Sequence, residues 1–130
     1  MNTETGFDIV EIARANEDFR RVLVTGDNTQ VVAMTIPPGG EIGDEVHEHV
    51  DQVLILVEGR GEAVLEGQRR AIDENDLVFV KAGTRHNFVN ASQEPLRLVS
   101  IYSPPEHAPG TVHATKEEAE AEEPGSGRGS

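Results

Sequence analysis

Along most of the chain, apolar β-favouring residues come in short runs broken by glycine, proline or asparagine. Val22 and Val24, then Val31, Val32, Met34 and Ile36, predict two strands joined by a turn at Gly26-Asp27-Asn28. Pro37-Pro38-Gly39-Gly40 ends the second, because successive prolines offer no N–H to a ladder and the glycines open a turn. Gln52 to Val57 is apolar on both faces, with Leu54 and Leu56 on one and Val53, Ile55 and Val57 on the other. Such a strand needs two covers, a closed interior on one side and the N-terminal segment or a second subunit on the other. Gly59-Arg60-Gly61 turns the chain, Glu62 to Leu65 forms the next strand, and Glu66-Gly67 turns it again. Leu77 to Val80, Asn87 to Val89 and Leu96 to Tyr102 add further strands. Many short strands without a long helical pattern predict an all-β sandwich or barrel rather than a parallel α/β fold.

The two ends depart from this rhythm. Phe7, Ile9, Ile12, Ala13 and Phe19 fall at loosely helical spacings behind Asp8, a suitable cap, so one short N-terminal helix is expected within residues 1–19. The strand-rich region occupies 20–103. Residues 104–116 read as an irregular Pro-rich loop, and 117–130 as an acidic flexible tail. Within that tail the Glu/Ala/Lys stretch up to Glu123 is helical if it docks.

Length and composition narrow the chemistry. A chain of 130 residues and 14.1 kDa supports one core. With no cysteine, any metal must be held by imidazole, carboxylate or amide groups. The net charge of −13, from 24 acidic and 11 basic side chains, argues against a nucleic-acid partner, which calls for clustered Lys and Arg. Part of that charge sits in the tail, at Glu117, Glu118, Glu120, Glu122 and Glu123. The N-terminus lacks a basic, apolar leader pattern and no apolar run is long enough to span a bilayer, so a cytoplasmic protein without a membrane partner is expected.

The candidate chemistry lies in two stretches. Between Gly39 and Gly59, Glu45, His47 and His49 fall on alternate residues and, in an extended strand, share one face; Gln52 then opens the apolar run. Between Asn75 and Asn90, His86 follows the turn Ala82-Gly83-Thr84. Two imidazoles with an oxygen donor suit a first-row divalent ion such as Fe(II), Mn(II), Ni(II) or Zn(II). Taken alone, His47-Glu48-His49 reads more simply as a surface strand with two solvated imidazoles, and His86 as a hydrogen-bonded turn histidine.

Together the stretches resemble the two motifs of the cupin superfamily, G-(X)5-H-X-H-(X)3,4-E-(X)6-G and G-(X)5-P-X-G-(X)2-H-(X)3-N. The second is matched in every spacing, with Asn75 at the first glycine, Lys81 at the proline, and Gly83, His86 and Asn90 in place. In the first, counting back from Gly59 puts Gln52 at the glutamate, His47 and Glu45 at the two histidines and Gly39 at the opening glycine, without a gap. The resemblance, which covers roughly residues 20–103, implies a double-stranded β-helix, or jelly-roll, barrel. It also implies a metal held by Glu45, His47, Gln52 and His86, with His49 as the alternate ligand or a neighbour of the site. Relative to the usual set, a histidine is exchanged for Glu45 and the glutamate for Gln52.

The expected function is binding of a divalent metal and of a small organic molecule in the barrel mouth. Similar small cupins imply oxygen-dependent cleavage, or isomerisation or epimerisation, with Glu45 or His49 as general base. The alternative is a non-catalytic module that binds a small ligand or metal. No cluster of Arg and Lys marks a sugar-phosphate site. Tyr102, Glu106, His107 and His113 are candidates for a lid over the mouth, or for a surface strap. The two-faced apolar strand and the resemblance imply a homodimer.

Overall fold

Asp8 caps the first element: its carboxylate accepts from the Glu11 amide at 3.0 Å and starts α1, Ile9–Ala15. The computed structural model describes residues 5–122. After α1 the described chain forms strands β1 Arg20–Thr25, β2 Gln30–Ile36, β3 Asp51–Glu58, β4 Gly61–Leu65, β5 Gln68–Ile72, β6 Leu77–Val80, β7 His86–Val89, β8 Leu96–Ser103 and β9 Val112–His113, then helix α2 Lys116–Glu122. They make a six-stranded sheet in the order β6-β3-β8-β2-β1-β9 and a three-stranded sheet in the order β5-β4-β7. Antiparallel bridges from Glu41 to Val89 and from Glu45 to His86 lay the Gly39 loop along the free edge of β7. This is the two-sheet jelly-roll barrel that the motifs implied.

Alternation along the strands divides the interior into two layers. Ile36, Leu56, Leu96, Leu98 and Phe88 are buried at one end and form an apolar floor. At the other end Gln30 pairs with Tyr102, which pairs with Gln52, so three polar side chains form one inward row across β2, β8 and β3. Burying the floor contributes hydrophobic stabilisation. The polar row forms the wall of the mouth.

Two turns hold the motif ends. Gly59 has φ +94°, and a Cβ there would stand 2.5 Å from the Pro95 carbonyl oxygen, so only glycine fits. Asn75 takes φ 74°, the left-handed conformation that asparagine tolerates, and its amide donates to the Leu56 carbonyl at 2.9 Å. At the position of the expected proline, Lys81 opens a turn closed by the Thr84 amide on its carbonyl, while Asp51 accepts from the Ala82 amide at 2.9 Å.

Three elements differ from the expectation. β5 was not foreseen because Gln-Arg-Arg-Ala-Ile buries only Ile72 and lies at a sheet edge. β9 has two residues, too few for a pattern. The Glu/Ala/Lys stretch, expected to be helical if it docks, does so as α2 but starts at Lys116, inside the span expected as loop: Ala119 packs into the core and the Thr115 hydroxyl accepts from the Glu118 amide at 3.1 Å. The rest of the expected tail, 123–130, lies outside the described residues, as does 1–4.

The second cover of β3 is partly the N-terminal helix, since Ala13 packs on Val57, Val99 and Val31. Further along the same outer face Val53 pairs with Phe79 and Ile55 with Leu77. Leu77 and Phe79 remain 61% and 54% exposed. No helix among the described residues is long and apolar enough to cross a membrane.

Candidate metal centre

Residues 46–50 do not continue as a strand. Glu45 is the last residue of the loop bridged to β7, exchanging two 2.9 Å bonds with the His86 backbone, and Glu48-His49 then forms a turn. The His47 carbonyl accepts from the Gly83 amide at 2.8 Å, which ties this loop to the turn before His86. Glu45, His47 and His86 therefore converge, each offering a ligand atom within 4.8 Å of the others. His49 is exposed and outside that cluster, because the turn breaks the alternation that would have aligned it with His47. The two imidazoles stand 5.3 Å apart, and His47 Nε2 lies 3.2 Å from Glu45 Oε1.

The donor set fits a metal. His86 Nδ1 is 2.8 Å from the Thr84 carbonyl, so Nδ1 carries the proton and the Nε2 lone pair faces inward. His86 is 2% exposed, and its Nε2 has no hydrogen-bond partner among the described residues. Gln52, also 2% exposed, donates from Nε2 to Ser100 Oγ at 2.9 Å while its Oε1 is equally unpartnered. A buried lone pair left unsatisfied is costly, and the one on His86, clustered with the Glu45 carboxylate and the His47 imidazole, is what a divalent cation would satisfy, while the Gln52 oxygen is a second unmet acceptor. Gln52 shares its row with Tyr102, whose ring stands edge-on to His47 at 6.2 Å.

The electrostatics agree. Burial pushes the Glu45 carboxyl up, but its hydrogen bond to His47 and the positive charge of His47, Arg20 and His86 outweigh burial and hold it below the usual value. Burial pulls His86 down, against the Thr84 bond and the Glu45 charge, which favours the neutral ligand form. Burial carries Tyr102 to about 12, so its hydroxyl stays protonated.

The proline-containing loop behind β8 closes the mouth. The Gln30 amide, fully buried, accepts from the Glu106 and His107 amides at 3.2 and 3.0 Å and donates to the His107 carbonyl at 2.7 Å. The loop is thereby strapped down with the Glu106 carboxylate 3.6 Å from His47 Nδ1 and the His107 ring edge-on to Tyr102 at 5.1 Å. His113 points elsewhere, its Nδ1 3.3 Å from Nη1 of the buried Arg20 and its Nε2 against Glu122. Beside Glu45 a cavity of about 350 Å³ lies between the Gly39 loop and α2, bordered by Arg20, Ile42 and Lys116.

Gln30, Arg20 and Ser100 escaped the sequence reading. Gln30 had a signal: it is the one polar residue in the inward series Gln30, Val32, Met34, Ile36. Ser100 and Tyr102 likewise interrupt the apolar series of β8. Arg20 gave none, because its partner His113 is distant in the sequence.

Fold and site together are those of a barrel with a Glu/His cluster suited to a metal ion at its mouth, and the family comparison agrees on the fold. The family model described as Cupin domain matches residues 32–102, and the chain belongs to that family. It is 44% identical over 125 residues to the protein YrkC of Bacillus subtilis, covering 88% of this chain and 67% of that protein. It is 32% identical over 101 residues to the protein L612 of Acanthamoeba polyphaga mimivirus, covering 75% of this chain and 63% of that protein. The chain thus spans about two-thirds of the length of these relatives. The crystal structure of BH2720 from Bacillus halodurans superimposes with a TM-score of 0.88 at 40% identity, covering 89% of this chain and 92% of that one.

Proposed function

We propose that the chain binds a divalent first-row metal ion through Glu45, His47, Gln52 and His86, and binds or transforms a small organic molecule beside it. The observation that supports this most is the buried unpartnered His86 Nε2 clustered with Glu45 and His47, with a second such atom, Gln52 Oε1, paired across the strands with Tyr102, whose ring stands beside His47. When bound, such an ion supplies Lewis-acid or oxygen-binding chemistry. The protein's own part is to keep Glu45 ionised and His86 neutral, to hold a protonated Tyr102 beside His47, and to exclude water with the apolar floor. Oxygen-dependent cleavage and isomerisation or epimerisation are the reaction classes that suit this set. The cavity bordered by Arg20, Lys116 and Glu45 offers room for a small substrate.

Metal analysis of purified wild type beside three variants tests the reading. Stoichiometric metal is expected in wild type and in His49→Ala, and loss in Glu45→Ala and His86→Ala. Full retention in His86→Ala would refute the site. Loss at His49 with retention at Glu45 would reject this ligand set.

Closure of the mouth favours a second reading. Gln52 and His86 are nearly sealed, and the strap stands over His47. A site built this way also suits a non-catalytic module that holds a metal or ligand without turnover. Oxygen consumption or turnover of a small-carbonyl panel by Fe(II)-, Mn(II)-, Ni(II)- or Zn(II)-loaded protein decides for the enzyme, and ligand binding without turnover decides for the module.

A further inference from the structure

We propose that Glu106 is a positioning residue for His47: its carboxylate faces Nδ1–H, keeps the proton on that nitrogen and so presents the Nε2 lone pair to the ion. The proposal rests on the metal reading above. His47 Nε2 is the nitrogen on the Glu45 side, 3.2 Å from Oε1, so the opposite nitrogen, Nδ1, points away from the cluster and toward Glu106 Oε2 at 3.6 Å. That spacing is an ion-pair distance, just beyond a hydrogen bond. The carboxylate is not a solvated surface group: its side chain is 8% exposed, as is that of His47. A charge so buried is costly unless an opposite or donating group stands by it.

The sequence neighbourhood explains how the carboxylate gets there. Ser103 ends β8, and the chain would leave the barrel were it not held by Gln30. Gln30 spends both ends of its amide on this strap, accepting from two consecutive N–H groups and donating to the His107 carbonyl. A fully buried glutamine, itself anchored by Nε2 on the Thr25 hydroxyl at 2.9 Å, holds the backbone on either side of Glu106 and so fixes where that side chain starts. The two histidines then receive matching support from different sources: His86 donates Nδ1–H to the Thr84 carbonyl, and His47 faces a carboxylate. Carboxylate support raises ligand basicity as well as fixing the tautomer.

Co(II) binding to full-length protein tests this through affinity and the visible ligand-field spectrum, neither of which needs turnover. Glu106→Ala is expected to weaken Co(II) affinity by about 10–100-fold, the range for a lost outer partner of a ligating histidine, with the metal-free melting temperature unchanged. Glu106→Gln, which keeps an acceptor but not the charge, is expected to recover most of the affinity and the wild-type spectrum. In the Co(II) form the His47 Nδ1–H resonance is expected to exchange slowly with water in wild type and rapidly in Glu106→Ala. Wild-type affinity and spectrum in Glu106→Ala, with normal Co(II) binding by wild type, would overturn this proposal and leave the metal reading standing. Equal losses in Glu106→Ala and Glu106→Gln, tracking a lower metal-free melting temperature, would also overturn it. A wild type that takes up no Co(II) would overturn the metal reading, and this proposal with it.

Discussion

Replacing Gln52 by leucine separates a functional amide from a structural one. In the metal-free protein Gln52 Oε1 is a buried acceptor without a partner among the described residues, which costs about 1–3 kcal/mol. Its side-chain bond, Nε2 to Ser100 Oγ at 2.9 Å, contributes roughly 0.5–1.5 kcal/mol. Ser100 keeps Tyr102 as a partner when that bond is gone. Leucine places an apolar side chain between Val80 and Tyr102, close to the volume it replaces. Gln52→Leu should therefore leave the metal-free protein as stable as wild type or up to about 2 kcal/mol more stable, a rise of several degrees in Tm for a domain of this size. Metal binding should move the other way. An ion that relieves the unpartnered oxygen gains about the same 1–3 kcal/mol in wild type and not in the variant, a loss of roughly 5–150-fold in affinity. Thermal melts in chelator and in saturating Zn(II), with a competition titration for Kd, read both quantities. The variant should melt at or above wild type in chelator and below it in Zn(II). A variant that is destabilised in chelator and binds Zn(II) as tightly as wild type would refute the reasoning, and Gln52 would then be a structural partner of Ser100.

Three further outcomes follow from the structure. The metal-free protein should lose stability as pH falls below 6.5, because unfolded His86 takes up a proton there while the folded imidazole, held down by burial, resists it. A second decline should follow below 4.5, where unfolded Glu45 protonates before the folded carboxylate does, and His86→Gln should remove only the first step of a pH series of chelator melts. Gly59→Ala should cost more than the roughly 1–2 kcal/mol of a left-handed alanine, since its Cβ also meets the Pro95 carbonyl at 2.5 Å, whereas Asn75→Gly should be near neutral; denaturant melts distinguish the two. The outer apolar face at Leu77 and Phe79 is proposed to bury against a second copy of the chain, so wild type should run as a dimer in light scattering and Leu77→Glu/Phe79→Glu as a folded monomer. A monomeric wild type at micromolar concentration would reject that contact.

What the sequence made legible was whatever depended on spacing. Strands β1 to β4 and β6 to β8 follow apolar runs between turn residues, and the motif count from Gly59 brought Glu45 rather than His49 beside His47 and His86. Local alternation by itself had put Glu45, His47 and His49 on one face, and this failed because period-two geometry holds only while the strand continues. Here Glu45 is an isolated bridge to His86 in a loop, and after it Glu48-His49 turns while the His47 carbonyl accepts from the Gly83 amide, far along the chain. The strap was hidden for a related reason. That Glu106 is a buried neighbour of His47 follows from Gln30, and nothing near Glu106 in sequence encodes that contact.

Asn90 shows how the motif residues separate into those that hold the fold and those that serve the site. It is fully buried and every polar atom is used: Nδ2 donates to the Ile36, Pro37 and Glu94 carbonyls at 2.9, 3.2 and 2.8 Å, and Oδ1 accepts from the Ser92 amide and hydroxyl at 3.0 and 2.8 Å. Such an amide closes a loop and needs nothing further. Gln52 and His86 are buried to nearly the same degree, yet each leaves one lone pair unmet, and both belong to the layer that contains Glu45 and His47. Burial is alike in all three, and Gln52 carries the same amide group as Asn90, so neither burial nor the amide explains the difference. A fold selected for stability alone would satisfy or replace these groups, as it does at Asn90. The incomplete bonding lies at the mouth while the floor is apolar and closed, so the unmet polar groups are confined to one end of the barrel.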